Sequence, residues 1–144
     1  MQTVISMNMH TINSIALPLL FITVFGLFAY VYFKSRVLLE IEKNLDPIFK
    51  SRCVSYLDGF RHRFTRFAIY EDFIVVSSRK KIMLKINEIK NVSIEKVYWH
   101  KSLDIKHNKQ NTPQISLLLN DIKTPLNILK EKMLITSAST RNGR

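Results

Sequence analysis

The chain divides into one long apolar run and a later part in which apolar and polar positions alternate. The run, residues 15–33, reads IALPLLFITVFGLFAYVYF and is interrupted only by Pro18, Thr23 and Gly26. As a helix it would reach roughly 28 Å at about 1.5 Å per residue, close to the hydrocarbon thickness of a bilayer. The pattern therefore predicts one transmembrane helix over residues 15–33.

Two other kinds of segment produce an apolar run of this sort. A cleaved signal peptide has a basic start and a small-residue cleavage site, but residues 1–14 contain no Lys or Arg, and the run ends on Tyr30, Tyr32 and Phe33. The core helix of a soluble protein has polar positions along one side, which this run lacks. We therefore favour a membrane span over both alternatives.

Charge is confined to the part of the chain after the apolar run. All 22 Lys and Arg and all 11 Asp and Glu follow Phe33, and the formal net charge is +11. Lys34 and Arg36 come directly after the run, and basic residues flank a span on its cytoplasmic side. The sequence thus predicts a single-pass protein of the plasma (inner) membrane, with residues 1–14 outside and the C-terminal part cytoplasmic. Lys34 and Arg36 either contact anionic headgroups or serve as topology determinants alone.

Residues 34–58 are predicted to form juxtamembrane helices. Apolar residues recur at spacings of three and four as far as Leu45, and Asp46-Pro47 offers an N-cap and a first-turn proline for a second helix that ends near Leu57. The apolar stripe of this second helix would lie on the bilayer or pack on the following domain. The stripe consists of Phe49, Cys53, Tyr56, Leu57 and Phe60, in which Cys53 is the sole cysteine and excludes an intrachain disulfide.

After Gly59 the hydrophobic period changes from helical to alternating, which is typical of strands with one buried face. Residues 59–135 are therefore predicted to form one antiparallel β domain that ends in a helix beginning at Thr124-Pro125. Residues 136–144 have no apolar period and are predicted to be disordered. The predicted strands are residues 60–68, 73–77, 82–86, 92–97, 103–107 and 115–119.

Residues 67–129 carry a resemblance to a known family. A Tyr70-Glu71-Asp72 hairpin leads into an Ile-Val strand, a basic turn follows, and the segment closes with Asn120-Asp121 leading into a helix. This order is similar to the bacterial pleckstrin-homology-like domains of small membrane proteins. The resemblance implies an α+β protein with a seven-stranded split barrel, closed by a C-terminal helix, that serves binding, scaffolding or membrane apposition. It does not carry over a phosphoinositide pocket.

Basic and aromatic residues supply the candidate contacts of this domain. A loop presents Arg79, Lys80 and Lys81 together, which suits headgroup phosphates, although a solvated basic turn that protects a sheet edge would look the same. Trp99 lies at a strand end, where it either enters the lipid interface, grips a partner or half-covers the barrel mouth. The candidate lipid or partner contacts are Lys34, Arg36, Arg79, Lys80, Lys81 and Trp99.

The first predicted strand also carries three arginines. Strand alternation places Arg61 and Arg63 on one side and Arg66 on the other, so a bulge is needed before all three line one pocket.

The sequence holds no recognisable catalytic or metal-binding set. The histidines His10, His62, His100 and His107 are scattered, and P-loop, G-x-S-x-G and G-x-G-x-x-G motifs are absent. We therefore predict a protein that is not an enzyme and has no metal or cofactor.

Three functions from different classes fit these features. The first is a membrane-anchored binding or scaffold protein whose basic domain docks a partner protein or the anionic leaflet. The second is an accessory subunit of a larger membrane complex, and the third, argued from charge alone, is a nucleic-acid-binding domain.

Overall fold

A computed structural model describes residues 9–141, with side chains described for residues 15–139. Its helices and strands are α1 (Met9–Arg36), β1 (Phe49–Leu57), β2 (Phe60–Ile69), β3 (Phe73–Ser77), β4 (Lys81–Lys85), β5 (Ile89–Val97), β6 (His100–His107), β7 (Ile115–Leu118) and α2 (Lys123–Arg141). Single 3₁₀ turns lie at Glu40–Glu42 and Ile86–Glu88. Of the predicted N-terminal segment 1–14, residues 1–8 lie outside the described residues and the rest is helical.

The seven strands form one antiparallel sheet in the order β4-β3-β2-β1-β7-β6-β5. The sheet curls into a half-barrel, and α2 closes it. This confirms the predicted α+β class and the six strands that the alternating pattern indicated. In β4, for example, Ile82 and Leu84 face the core, while Lys81 and Met83, which alternate with them, stay partly exposed.

The concave face of the half-barrel holds the main hydrophobic core. Every strand contributes to it, and α2 covers it with Leu129, which is completely buried, and with Leu126 and Met133 beside it. The helical spacing of these three residues matches the stripe that the sequence predicts for the closing helix.

The convex face carries a second, smaller cluster, which the segment between α1 and β1 covers. Ala68, Tyr70, Phe73 and Val75 are buried there, and Leu39 from the connecting segment packs against them. Because β3 has the core on one side and this cover on the other, all five of its residues are buried.

The predicted second juxtamembrane helix is wrong: Phe49–Leu57 is strand β1, paired with both β2 and β7. The inward positions of β1 include Ser51 and Ser55, which are polar. The remaining apolar residues therefore fit a helical stripe as well as they fit strand alternation. The burial of Ser55 becomes acceptable only through its 2.7 Å hydrogen bond to Thr65 on β2.

The turn after β1 carried the missing signal. Asp58 and Gly59 have φ of 50° and 82°, so both adopt the left-handed conformation of a two-residue hairpin. An Asp-Gly pair between apolar segments favours such a hairpin, so the end predicted for a helix near Leu57 is the turn of a β-hairpin.

Two further boundaries differ from expectation. The connecting segment after Arg36 contains no α-helix and only the short 3₁₀ turn Glu40–Glu42, whereas a helical continuation is predicted from the sequence. At the other end α2 runs to Arg141, so the prediction of disorder is wrong for residues 136–141, while residues 142–144 lie outside the described residues. This last part of α2 projects past the core, with Leu134 and Ile135 exposed, and therefore lacks the apolar period that packing would impose.

Candidate functional site

The site begins where α1 rests on the half-barrel. The segment Ile15–Arg36 contains an 18-residue window with a mean hydropathy of 2.2, and it is long and apolar enough to cross a membrane. Near its end, α1 contacts Phe64 of β2, whose ring centroid lies 6.2 Å from that of Phe28 and 6.0 Å from that of Tyr32, both in edge-on geometry. This contact determines which end of the sheet lies against the apolar helix.

A cleft of about 960 Å³ opens between α1 and that end of the sheet. We call it the basic cleft. One wall is apolar and comes from Leu27, Phe28 and Val31 of α1, together with Phe60 and Phe64 of β2. The other wall comes from the β1–β2 hairpin, the β3–β4 turn and the β6–β7 loop, which antiparallel topology brings to one edge of the sheet.

Four cationic side chains line the basic cleft: Arg61, Arg63, Arg79 and Lys80. Among the described residues none of the four forms an ion pair. The acid in the lining, Asp58, is tied to the β6–β7 loop, since its Oδ1 accepts a 2.9 Å hydrogen bond from the N–H of Gln114. The cleft therefore combines an apolar wall with an excess of positive charge.

His62 also lines the cleft, and the nearby cations affect its pKa. Partial burial lowers the pKa of His62 below its ordinary value near 6.5, and the charges of Arg79 and Lys80 lower it further. His62 is therefore neutral at pH 7 and adds no charge of its own.

A second cleft, of about 830 Å³, lies on the other side of the α1 contact. Arg36 and Arg52 line it, with their guanidinium carbons 4.5 and 5.9 Å from the centroid of the Tyr32 ring. At these distances both arginines form cation–π interactions with Tyr32, and these interactions hold the arginines beside the end of α1.

A β-bulge in β2 affects which cleft each arginine of this strand lines. Cys53 pairs with Thr65 but Ser55 pairs with His62, so β2 has an extra residue at this point. Arg63 consequently lines both clefts, and Arg66 lines the second. The bulge that the sequence required is present, yet the three arginines do not share one cleft.

A buried ion pair fixes the connecting segment to the sheet. The carboxylate of Glu42 accepts two 2.7 Å hydrogen bonds from the guanidinium of Arg66, one of 2.8 Å from the Tyr70 hydroxyl and one of 2.7 Å from the Leu39 N–H. Glu42 is 2% exposed and Arg66 is 7% exposed. We call this group the Glu42 clamp, and sequence reasoning missed it because nothing local marks Glu42 as buried.

Burial and hydrogen bonding act on Glu42 in opposite directions. Burial alone raises the pKa of its carboxyl, but the hydrogen bonds from Arg66, the Leu39 N–H and Tyr70 outweigh this effect, and the pKa lies below its ordinary value near 4.5. Glu42 is therefore ionised at neutral pH, and its charge is matched by that of Arg66.

The predicted site residues fall in separate places. Arg79 and Lys80 line the basic cleft, whereas Lys81 is half-buried as the first residue of β4. Arg36 lines the second cleft, and Lys34 points back along α1, 3.3 Å from the Tyr30 hydroxyl. Trp99 lies in the β5–β6 turn and is 96% exposed, so the proposal that it half-covers the barrel mouth is wrong. The sequence did not single out Phe64 as a contact, and it assigned Phe60 to the apolar stripe of a helix.

Nothing in the described part of the chain gathers three or more His, Cys, Asp or Glu side chains at metal-binding distances. His62 lies among cations, and His107 contacts the backbone carbonyl of Pro113 at 3.0 Å.

Cys53 provides a direct test of the packing of β1. Burial in the core raises the pKa of its thiol to about 12. We expect Cys53 in the folded full-length chain to resist maleimide labelling at pH 7 and to react completely in denaturant, as measured by mass spectrometry. Rapid labelling of the folded chain would contradict the inward orientation of this side of β1.

Comparisons with known proteins support the fold and go no further. No family model matches the chain, and no curated protein matches its sequence. Among solved structures, the crystal structure of the C-terminal domain of an unknown protein from Leishmania infantum is similar, with a TM-score of 0.54 and 12% identity over 77% of this chain and 98% of that one. The chain is thus an α+β protein in which an apolar helix precedes a curled, seven-stranded antiparallel sheet and a closing helix.

Proposed function

We propose that the protein is a single-pass, non-enzymatic membrane protein whose half-barrel docks on the anionic cytoplasmic leaflet of the plasma membrane through the basic cleft. The observation that carries this proposal is the contact of Phe64 with Phe28 and Tyr32, which places the cleft beside the last turns of the apolar helix. A pleckstrin-homology-like domain, to which the sequence is similar, would serve membrane apposition of this kind.

The depth of the contact supports docking. Leu27 of α1 lines the cleft and precedes Lys34 by about two turns, or roughly 10 Å along the helix. If α1 crosses a bilayer, the β1–β2 end of the sheet then reaches at least as far as the headgroups. Phe60, which is 74% exposed, suits this level because headgroup regions accept aromatic rings.

The charge of the cleft supports an anionic surface in particular. Arg61, Arg63, Arg79 and Lys80 form no ion pair within the part of the chain whose side chains are described, and a cation near an anionic leaflet contributes about 1 kcal/mol of attraction. Lys34 and Arg36 at the end of α1 favour the cytoplasmic side by the positive-inside rule.

Membrane crossing and orientation are tested first. We expect the full-length chain to stay in the membrane pellet after alkaline carbonate extraction. In intact cells the half-barrel should survive an externally added protease. Recovery in the supernatant would contradict crossing, and digestion from outside would contradict the orientation.

Docking is then measured with a fluorophore in the cleft. Thr112 lines the cleft, and the buried Cys53 leaves Thr112→Cys as the accessible thiol for an environment-sensitive label. In vesicles containing phosphatidylglycerol we expect an apolar emission that weakens in about 1 M salt, where the Debye length is about 3 Å. The double variant Arg61→Gln/Arg79→Gln should weaken docking by about 2 kcal/mol, which lowers the equilibrium constant for docking about 30-fold.

The matched control removes two charges elsewhere. Lys123 and Lys130 are exposed on α2 and do not line the cleft. Lys123→Gln/Lys130→Gln should leave the emission unchanged. Equal emission in anionic and neutral vesicles at low salt, or equal effects of both double variants, would refute docking through the basic cleft.

A further inference from the structure

The β5–β6 turn displays two bare aromatic side chains. Val97 pairs with His100, so Tyr98 and Trp99 alone form the connection. Trp99 is 96% exposed and Tyr98 is 76% exposed. Solvent-exposed aromatic rings of this size carry a large unfavourable apolar area unless something covers them.

The backbone of this turn is strained in a way that presents the rings. Tyr98 has φ of 55°, in the left-handed region that bulky residues rarely occupy. Its ring lies 5.9 Å from that of Tyr56 on β1, which supports this conformation. Strain of this kind persists where the surrounding structure holds it, and it is found at binding sites.

The turn lies beside the same hairpin end that contacts α1. Tyr98 and Lys96 share a small cleft with Gly59 of the β1–β2 turn and with Gln114. Gln114 is in turn hydrogen-bonded to Asp58. The β1–β2 hairpin therefore has α1 on one side, through Phe64, and the Tyr98-Trp99 turn next to it on another.

We propose that the Tyr98-Trp99 turn inserts into the lipid headgroup region and forms a second point of membrane attachment. Tyr and Trp prefer this region because one part of the ring system is apolar and another part is polar. Lys96 and Lys101 are exposed beside the turn. The neighbouring acid, Glu95, forms an ion pair with Lys106, with 3.1 Å between Oε1 and Nζ. This cationic surrounding matches an anionic lipid surface. The inference rests on the proposed function, since α1 must cross the bilayer for the turn to reach it.

The chain has a single Trp, so tryptophan emission, excited selectively over that of the tyrosines, reports this turn alone. The full-length chain is reconstituted into vesicles of phosphatidylcholine and phosphatidylglycerol, with and without lipids brominated near the headgroup end of the acyl chain. We expect a blue-shifted emission, quenching by the brominated lipids and protection from acrylamide. Emission typical of water, with full acrylamide quenching and no effect of bromine, would overturn the proposal, and burial of Trp99 seen only in native membranes would assign the turn to a protein partner instead.

A relocated Trp provides the matched control. Leu134 on the projecting part of α2 is 69% exposed, and the Lys132–Glu71 ion pair ties that part of α2 to the β2–β3 turn. In the variant Trp99→Phe/Leu134→Trp the emission should be typical of water and insensitive to brominated lipids. Lipid quenching of this variant equal to that of the wild type would show non-specific contact and would overturn the assignment to the turn.

The outcomes separate the two proposals. If the label at Thr112→Cys reports docking while Trp99 stays in water, the attachment by the turn fails and docking through the basic cleft stands. If the chain is extracted by alkaline carbonate, membrane crossing itself fails before Trp99 is measured.

Discussion

Replacing Glu42 by alanine is expected to lower the free energy of unfolding by about 3–5 kcal/mol, because removal of one partner leaves the other charge buried and unpaired. Arg66 would lose both of its 2.7 Å hydrogen bonds to the carboxylate, and its Nε already has no partner among the described residues. Urea unfolding of the full-length chain in non-ionic detergent, followed by circular dichroism, measures the change.

Glu40 supplies the control for this variant. Glu40 lies two residues before Glu42 and forms an ion pair with Lys43. The side chains of both Glu40 and Lys43 are largely exposed. Glu40→Ala should cost less than about 1 kcal/mol, as surface ion pairs do. Similar losses for Glu40→Ala and Glu42→Ala would mean that the clamp does not hold the connecting segment in solution.

The clamp also makes stability depend on pH, with a definite sign. Because the folded state lowers the pKa of Glu42 below about 4.5, its contribution is fully present above that pH and is lost as the pH falls through the folded-state pKa. The difference in stability between the wild type and Glu42→Gln should therefore shrink in acid. A difference that grows in acid would assign the effect to another group.

The consequence for function follows from where the clamp lies. Leu39 and Glu42 belong to the short segment between α1 and β1, and their contacts with β2 hold the half-barrel at one angle to the apolar helix. Without the clamp, the basic cleft would be held beside α1 by the contacts of Phe64 with Phe28 and Tyr32 and of Arg52 with Tyr32. The clamp therefore adds a further constraint on how that end of the sheet lies against α1, and the docking proposed above depends on that arrangement.

Leu129→Ala is expected to lower the free energy of unfolding by about 2–5 kcal/mol, since truncation leaves a cavity where a completely buried side chain had been. Leu129 is the residue by which α2 closes the concave core, so the loss should be cooperative across the sheet. The same unfolding measurement in detergent applies.

Leu134 on the same helix is the matched control. It is 69% exposed, and Leu134→Ala removes the same atoms without opening a cavity. We expect a change within about 0.5 kcal/mol of the wild type. A large loss at Leu134 would show that the projecting part of α2 packs on the protein in solution.

Strand β1 shows where sequence reasoning failed and why. The apolar residues of Phe49–Leu57 satisfy both the helical and the alternating period, and the serines that mark the true alternation look like surface positions until Thr65 is placed beside Ser55. The Asp58-Gly59 turn contained the deciding information. Propensity and period are local, so a segment that fits both is decided by its partners.

The candidate site shows the same division. The sequence singled out Arg79, Lys80 and Lys81 because a loop presents its charges together, and it placed Trp99 at a strand end without deciding whether the ring is exposed or half-buried. It could not associate Phe64 with Phe28, or Glu42 with an arginine 24 residues away and a tyrosine 28 residues away. Those pairs exist because a sheet brings distant segments together.

By itself, the sequence determined the apolar helix, the confinement of charge to the rest of the chain, the alternating strands and the closing helix. Each of these follows from composition or period within a short window. Only the tertiary structure decided that β1 is a strand, that Glu42 is buried against Arg66, and which turns of the sheet share an end with α1. These features are long-range contacts, whose free energy depends on burial and charge pairing between segments far apart in the chain.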